Sequence, residues 1–150
     1  NFPMMSLYPE NEKRGILFNK VRIDDKIVNI FNLHLATMEH ERILAVEELV
    51  NIIETIPKNE NIIVAGDFNI GISKIGNHKY SFENKETYTE YEALKKRLLK
   101  LPNTEPTWFS ETAIACIDTM FYSNTMKLIE FKTLKSEISD HCAVYAEFEI

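Results

Sequence analysis

The run from residue 26 to residue 35, KIVNIFNLHL, constrains the fold most, because both of its faces are apolar where it begins. Alternate side chains of an extended strand share a face, so Ile27 and Phe31 lie on one side and Val28 and Ile30 on the other. A strand of this kind has to be covered on both sides, as in layered α/β proteins. The run therefore predicts a central sheet that lies between other layers.

The neighbouring segments predict a mixed order of strands and helices. Residues 15–23 are apolar and β-prone, and an Asp-Asp turn pair joins them to residues 26–35 as a hairpin. Residues 39–56 carry apolar side chains at helical spacing, with acids in the first turn, and Pro57 ends this helix.

Further elements are expected along the rest of the chain. We predict strands at 61–66, 116–122 and 142–149, and a second helix near 88–100 that follows a long polar loop. The resulting order, in which two strands, a helix, a strand, a helix and two strands follow each other, is typical of an α/β or α+β domain. Because there is no repeat or linker, we treat residues 1–150 as one unit.

Composition restricts the classes of function. A hydrophobic content of 45% and a charged content of 27% are those of a globular protein. A formal net charge of −6 disfavours a protein that holds nucleic acid by charge alone, but it is compatible with an enzyme that meets phosphates through a bound cation. Cys116 and Cys142 lack metal-type spacing and are expected in the core. No run approaches the roughly 20 apolar residues of a membrane span, and without a leader the cytoplasm is the default compartment.

Four polar clusters interrupt the apolar strands, each at or near a strand end. They are NLHL at 32–35, GDFN at 66–69, CIDTMF at 116–121 and SDHC at 139–142. Burying an unpaired acid or imidazole there is costly, so these groups need partners or a ligand. Each cluster taken alone also has a purely structural explanation. GDFN is compatible with an Asx-type turn after a strand, and an isolated histidine is compatible with a satisfied core position.

The four clusters, in this order, resemble the motifs of the endonuclease/exonuclease/phosphatase family, whose fold is that of deoxyribonuclease I. IFNLHL resembles the family's strand that ends in Asn-x-His, and IIVAGDFN its Gly-Asp-x-Asn motif. CIDTMFYS resembles its Ile-Asp strand, and SDHCAVYAEFEI its terminal Ser-Asp-His motif. The resemblance covers roughly residues 14–150. It implies part of a four-layer α/β/β/α sandwich and a Mg²⁺- (or Mn²⁺-) dependent hydrolase that acts on phosphodiesters.

The resemblance assigns the phosphate and the metal to the end of the chain. It implies that His141 contacts the phosphate and that Asp118 is the partner of His141. A carboxylate in that position fixes the imidazole tautomer and favours its charged form. Asp140 is the implied Mg²⁺ ligand, and a hard cation that keeps several waters suits such a site.

The remaining roles fall on the earlier motifs. The resemblance implies that Asp67 orients or deprotonates the attacking water and that Asn69 holds this water or a phosphate oxygen. His34 would donate a hydrogen bond to the phosphate or to the leaving group. The division of roles between His34 and His141 is left open.

The chain departs from the family pattern before residue 32. The family's strand with an Asn, followed by a metal-binding Glu, has no counterpart, because Glu10 and Glu12 lie in a polar segment that reads as a loop. A family acid that orients the equivalent of His34 is also not found. We expect that the N-terminal half of the domain is missing, so that an exposed apolar sheet face requires a partner or self-association. Subfamilies place substrate-selecting groups in residues 70–90. In this region His78, Lys79 and Tyr80 are expected to lie in a solvated loop, and contact with a phosphate or base is the alternative.

Three functions stay open at this point. The first is a nuclease-type phosphodiesterase with nucleic acid as its substrate. The second is a hydrolase of lipid or inositol phosphates, and the third is a non-catalytic interaction module that retains an incomplete site.

Overall fold

Two helices and ten strands make up the part of the chain that the structure, a computed structural model, describes: residues 2–3, 13–76, 79–82, 87–109, 114–135 and 137–150. In chain order they are β1 (Phe2–Pro3), β2 (Gly15–Ile23), β3 (Lys26–His34), α1 (Glu39–Glu54), β4 (Asn61–Asp67), β5 (Ile72–Gly76), β6 (Lys79–Phe82), α2 (Thr89–Lys95), β7 (Leu98–Lys100), β8 (Asp118–Ser123), β9 (Lys127–Leu134) and β10 (Ala143–Glu149).

The central layer is a six-stranded sheet with the strand order β1-β2-β3-β4-β8-β7. The predicted hairpin of β2 and β3 is present, and Asp24 in its turn has a φ of 52°, which suits a tight hairpin turn. Strands β3 and β4 are parallel and are connected through α1, whereas β8 is antiparallel to β4. The register places His34 opposite Asp67, and Asp67 opposite Asp118. Three of the predicted site residues therefore lie in one row across three neighbouring strands, at the same end of these strands.

One face of this sheet packs against α1 and α2. Its core contains fully buried side chains from both layers, including Phe31, Leu49, Val64 and Phe121. Complete burial of side chains of this size contributes about 1.5–3 kcal/mol each. These contacts explain why the amphipathic stripe of α1 was visible in the sequence.

A buried ion pair joins the two helices. Arg42 of α1 donates from Nε to Glu90 of α2 at 3.0 Å, and both side chains are almost fully buried. The same guanidinium donates to the backbone carbonyl of Thr37, just after β3, at 2.6 Å. The pair therefore also holds the segment that follows His34.

The opposite face of the sheet packs against a second sheet formed by β9 and β10. Val144, Ala146 and Phe148 alternate along β10 and contact a cluster that includes Tyr122 and Met126. Two sheets packed face to face, with helices on one outer side, confirm the predicted layered α/β fold.

The sequence predictions for individual elements were partly wrong. The second helix ends at Lys95 instead of near residue 100, because Leu98–Lys100 pairs with β8 as a strand and buries Leu98. The expected long polar loop after β4 contains the β5–β6 hairpin. Strand β9 was not predicted. Predictions that concern Glu10, Glu12 and His78 lie outside the described residues.

Apolar side chains are exposed on β2. Leu17, Val21 and Ile23 are 50%, 37% and 47% exposed, and they alternate along the strand on the face that points away from the helices. Both cysteines are free, Cys142 buried and Cys116 half-buried. In the described part of the chain, neither helix has the length and apolar character needed to cross a membrane.

Candidate functional site

The row formed by His34, Asp67 and Asp118 is the first part of the site. His34 ends β3, Asp67 ends the parallel strand β4, and Asp118 begins the antiparallel strand β8. Nε2 of His34 lies 3.2 Å from Oδ2 of Asp67. No acid that would orient His34 is evident in the sequence, and the structure places Asp67 within reach of this imidazole.

Gly66 allows β3 and β4 to approach closely at this edge. Its φ is +139°, and a Cβ added to it would lie 1.9 Å from the backbone oxygen of Leu33. A residue with a side chain is therefore excluded by the neighbouring strand as well as by the backbone conformation. This requirement explains the glycine that precedes Asp67 in the motif.

The residues after Gly66 form an Asx-type turn that also fixes the acid. The backbone N–H of Asn69 donates to Oδ1 of Asp67 at 2.8 Å, and Asn69 has a φ of 50°. The side-chain amide of Asn69 donates to the carbonyl of Leu35 at 2.9 Å, which ties the turn to the end of β3. The structural explanation of GDFN is therefore correct, and the same turn holds Asp67 in place.

Asp118 and His141 form a hydrogen-bonded pair across the two sheets. Nδ1 of His141 lies 2.9 Å from Oδ2 of Asp118. Because the carboxylate accepts from Nδ1, Nε2 is left for another partner. Burial alone would lower the pKa of His141, but the hydrogen bond to Asp118 and the charges of Asp118, Asp67 and Asp140 raise it above its usual value.

The two carboxylates of the row repel each other. The pKa of Asp67 is raised from 3.8 to about 6, first by burial and then by the charge of Asp118, against the hydrogen bond from Asn69 and the charge of His141. One ligand atom from each of Asp67, Asp118 and His141 lies within 4.8 Å of the other two. Two neighbouring carboxylates at this spacing fit a hard divalent cation such as Mg²⁺ or Mn²⁺.

Asp140 precedes His141 on the same segment, but its carboxylate is not one of the three groups whose ligand atoms lie within 4.8 Å of one another. It is exposed, and its Oδ2 accepts a hydrogen bond from the indole of Trp108 at 3.2 Å. Its other oxygen adds a further donor of the type that Mg²⁺ prefers. The Asp67–Asp118–His141 cluster and Asp140 together offer the chemistry that the predicted metal requires.

Sequence reasoning missed the segment that supports Asp118 and His141. Thr107 and Asn103 are buried. The hydroxyl of Thr107 accepts from the N–H of Asp118, the side-chain amide of Asn103 donates to its carbonyl, and Trp108 pairs with the backbone of His141. The available signal was weak: the segment PNTEPTW contains the only tryptophan of the chain. An indole N–H usually finds a partner when it is buried.

Comparisons with known proteins agree with this fold. The family model described as "Endonuclease-reverse transcriptase" matches residues 27–145. A functionally unknown conserved protein from Enterococcus faecalis V583 is similar in structure, with a TM-score of 0.75 and 17% identity over 99% of this chain and 64% of that one. A search of curated proteins found no match.

Two further structures carry descriptive names. Mannosyl-6-phosphatase of Bacteroides thetaiotaomicron has a TM-score of 0.69 and 17% identity, covering 95% of this chain and 60% of that one. TDP2 of D. rerio, complexed with single strand DNA product, has a TM-score of 0.67 and 16% identity, covering 95% and 64%. The chain thus spans 60–64% of the length of these three structures. With most of its length matched by the family model, the chain belongs to the endonuclease/exonuclease/phosphatase family.

Proposed function

We propose that the protein is a Mg²⁺- or Mn²⁺-dependent phosphoesterase that hydrolyses a phosphodiester by in-line attack of water. Nucleic acid is the leading candidate for its substrate. The observation that carries the proposal is the Asp118–His141 pair, 2.9 Å apart and clustered with Asp67. Family membership supports a phosphoester substrate, and the family is generally dependent on a divalent metal. The names of the similar proteins include a phosphatase and a protein in complex with a DNA product. These names support hydrolysis of a phosphoester but do not identify the substrate.

His141 would contact the phosphate. Its Nδ1 is occupied by Asp118, and the raised pKa shifts His141 toward the imidazolium form. A charged Nε2–H donates a stronger hydrogen bond to a phosphate oxygen than a neutral one does. Asp118 thereby acts through His141.

Asp67 would orient and deprotonate the attacking water. A pKa of about 6 leaves this carboxylate ionised at pH 7 and basic enough to accept a proton. The N–H of Asn69 holds one oxygen, and the other lies 3.2 Å from His34. His34 is retained as a donor to the phosphate or to the leaving group on the basis of the family resemblance, because its Nε2 faces Asp67 in this arrangement. Since the side-chain amide of Asn69 bonds to Leu35, its contribution to the water or phosphate would come from its remaining polar atoms.

Asp140 would bind the cation, together with oxygens of the Asp67–Asp118–His141 cluster. When bound, Mg²⁺ supplies positive charge that stabilises the negative charge developing on the phosphate oxygens. The carboxylates of the site would hold that charge next to His141.

We further propose that residues 1–150 are part of one such domain and that additional polypeptide, from the rest of the domain or from a second copy, covers the β2 face. Exposed Leu17, Val21 and Ile23 support this proposal, as does the partial coverage of the similar structures. Sedimentation and binding of an apolar dye test it. A monodisperse monomer without dye-accessible apolar surface would contradict it.

The test of catalysis is cleavage of bis(p-nitrophenyl) phosphate with Mg²⁺, using the chain with its natural flanking sequence. His141→Ala and Asp67→Asn should each lower turnover by at least about 10²-fold, as for the loss of a catalytic acid or base. His40→Ala on the exposed part of α1 and Asp25→Asn in the β2–β3 turn are the matched controls and should retain wild-type turnover. Wild-type turnover in either site variant would refute the assigned roles.

A second assay separates the substrate classes. Labelled single-stranded DNA, an inositol phosphate and sphingomyelin vesicles are incubated with the protein and Mg²⁺. Cleavage of DNA supports the leading proposal, and preferential hydrolysis of the inositol phosphate or the lipid supports the alternative. If no phosphoester is cleaved under conditions where the protein is folded, the interaction module becomes the better description.

A further inference from the structure

The Asp118–His141 pair depends on how two separate parts of the fold are held together. Asp118 begins β8 in the six-stranded sheet, whereas His141 lies just before β10 in the two-stranded sheet. The two residues are 23 positions apart, and their side chains meet through one hydrogen bond of 2.9 Å. A small shift of one sheet relative to the other would therefore break the pair.

Thr107 bonds to both of these segments. Its side chain is fully buried, and its hydroxyl oxygen accepts from the backbone N–H groups of Ile117 and Asp118, each at 3.1 Å. Its backbone carbonyl accepts from the N–H of Cys142 at 2.7 Å. One residue thus contacts the peptide of Asp118 through its side chain and the peptide that follows His141 through its backbone.

A hydroxyl is suited to this position because it has two acceptor lone pairs and one donor. The two lone pairs receive the two N–H groups, and the hydroxyl hydrogen reaches the carbonyl of Ala115 at 3.4 Å. Valine has nearly the same shape but accepts nothing, so it would leave two buried donors unsatisfied. Serine preserves the hydroxyl and removes only a methyl group.

Asn103 supports the same peptide from the other side. Its side-chain amide donates to the carbonyl of Asp118 at 3.1 Å, and its Oδ1 accepts from the hydroxyl of Thr119 at 2.6 Å. The N–H and the C=O of Asp118 are therefore both bonded to buried side chains. The backbone of Asp118 is thus held on both sides. The position of Asp118 relative to His141 therefore depends on the hydrogen bond between Thr107 and Cys142.

We propose that Thr107 is a positioning residue that sets the geometry of the Asp118–His141 pair by tying the start of β8 to the segment before β10. The effect on turnover rests on the proposed function. The tie, which is the set of hydrogen bonds from Thr107 to the start of β8 and to the segment before β10, does not depend on that function. Thr107 touches neither the substrate nor the cation in this role, and it acts through the two residues that it aligns.

The kinetic test compares Thr107→Val, Thr107→Ser and Ser123→Ala. Ser123 is the matched control, because its hydroxyl also accepts from a buried N–H, that of Ile62 at 2.7 Å, but at the other end of β8. Thr107→Val should lower kcat by about 10²-fold through misplacement of the pair, with KM changed by no more than about twofold. Thr107→Ser and Ser123→Ala should stay within about threefold of the wild-type kcat.

Two results would overturn the proposal. One is a folded Thr107→Val protein with wild-type kcat, and the other is a Thr107→Ser protein that is as impaired as Thr107→Val. If Thr107→Val does not fold, Thr107→Ala replaces it, because the smaller side chain leaves room for water at the two N–H groups. A folded Thr107→Ala protein should lose about tenfold in kcat, and wild-type kcat there would also contradict the proposal.

Amide hydrogen exchange tests the tie without any catalysis. In Thr107→Val, or in Thr107→Ala where that replaces it, the amides of Asp118 and Cys142 should both exchange faster than in the wild type, and neither should change in Ser123→Ala. Loss of protection at Asp118 with Cys142 unaffected would show that Thr107 does not couple the two segments. If wild-type protein cleaves no phosphoester, the proposed function fails, and this exchange result still decides whether the tie exists.

Discussion

Replacing Asp67 with asparagine should stabilise the folded protein above pH 6 while it removes the proposed base. Asparagine has nearly the same shape as aspartate, and its Oδ1 can still accept from the N–H of Asn69, which Asp67 receives at 2.8 Å. Its amide can donate to Nε2 of His34, which lies 3.2 Å from the present carboxylate. The substitution therefore removes the charge and preserves the local hydrogen bonds.

The expected magnitude follows from the raised pKa of Asp67. The fold raises this pKa from 3.8 to about 6, a difference of about 2 units, and each unit corresponds to 1.36 kcal/mol. The fold disfavours the ionised form of Asp67, so ionisation lowers the free energy of unfolding. This loss of stability is absent below pH 3.8, grows between pH 3.8 and pH 6, and is complete above pH 6. The Asp67→Asn protein does not have this cost, so it should gain about 2–3 kcal/mol at pH 8 and less than about 1 kcal/mol at pH 4.

Part of this gain is offset by His141. The charge of Asp67 helps to raise the pKa of His141, so the substitution also removes an attraction that is present while the imidazole is protonated. That attraction is lost as the pH rises through the raised pKa of His141, and the difference between the two proteins is therefore largest at alkaline pH.

Urea denaturation of both proteins from pH 4 to pH 8 measures the difference directly. Asp25→Asn, in the exposed β2–β3 turn, is the control and should show no gain that depends on pH. Added Mg²⁺ should narrow the difference at pH 8, because a cation relieves the repulsion only in the wild type. Equal free energies of unfolding over the whole pH range would refute the reasoning.

Other substitutions test the scaffold of the site. Gly66→Ala should destabilise the protein by about 3–5 kcal/mol in urea denaturation, because its Cβ would lie 1.9 Å from a carbonyl oxygen of β3; a loss below about 1 kcal/mol would contradict this. Glu90→Gln leaves the buried Arg42 cation without its ion pair and should lower the free energy of unfolding by about 3–5 kcal/mol. Arg42→Met combined with Glu90→Leu should lower it by less, and a larger loss in the double variant would disprove the argument. Trp108→Phe removes the N–H that orients Asp140 and should weaken Mg²⁺ binding by about tenfold in calorimetry, an effect that unchanged affinity would rule out.

The positions of three candidate site residues at strand ends could be predicted from local patterns, whereas their roles come from the family resemblance. His34, Asp67 and Asp118 each stand where an apolar run meets a polar cluster, and β3 and β4 were visible as runs of β-branched residues. The register that places the three side chains opposite each other follows from strands that end at the same edge of a sheet. The layered fold could be predicted for a similar reason, since both faces of β3 begin as apolar.

The errors concern elements whose conformation depends on partners distant in the sequence. Leu98–Lys100 follows a helical pattern, but pairing with β8 and burial of Leu98 outweigh a helix propensity that differs little between residues. Thr107 and Trp108 could not be identified, because their importance comes from contacts with peptide groups at residues 117, 118 and 141. A hydroxyl that accepts backbone N–H groups leaves no periodic signal in the sequence.

The acidic character of the chain and a phosphodiester substrate are compatible for a local reason. The chain carries a net charge of −6, and an anionic substrate that approaches Asp67, Asp118 and Asp140 meets like charges, with His141 as one opposing cation. Proteins that bind nucleic acid by neutralising many phosphates need clusters of Lys and Arg, which would make the affinity strongly dependent on salt. Here the repulsion between Asp67 and Asp118, which adds to burial in raising the pKa of Asp67 to about 6, would be relieved by the divalent cation that we propose for this site. The free energy that the fold spends on holding these carboxylates together would therefore favour binding of the proposed cation, and that cation would offer positive charge to a single phosphate.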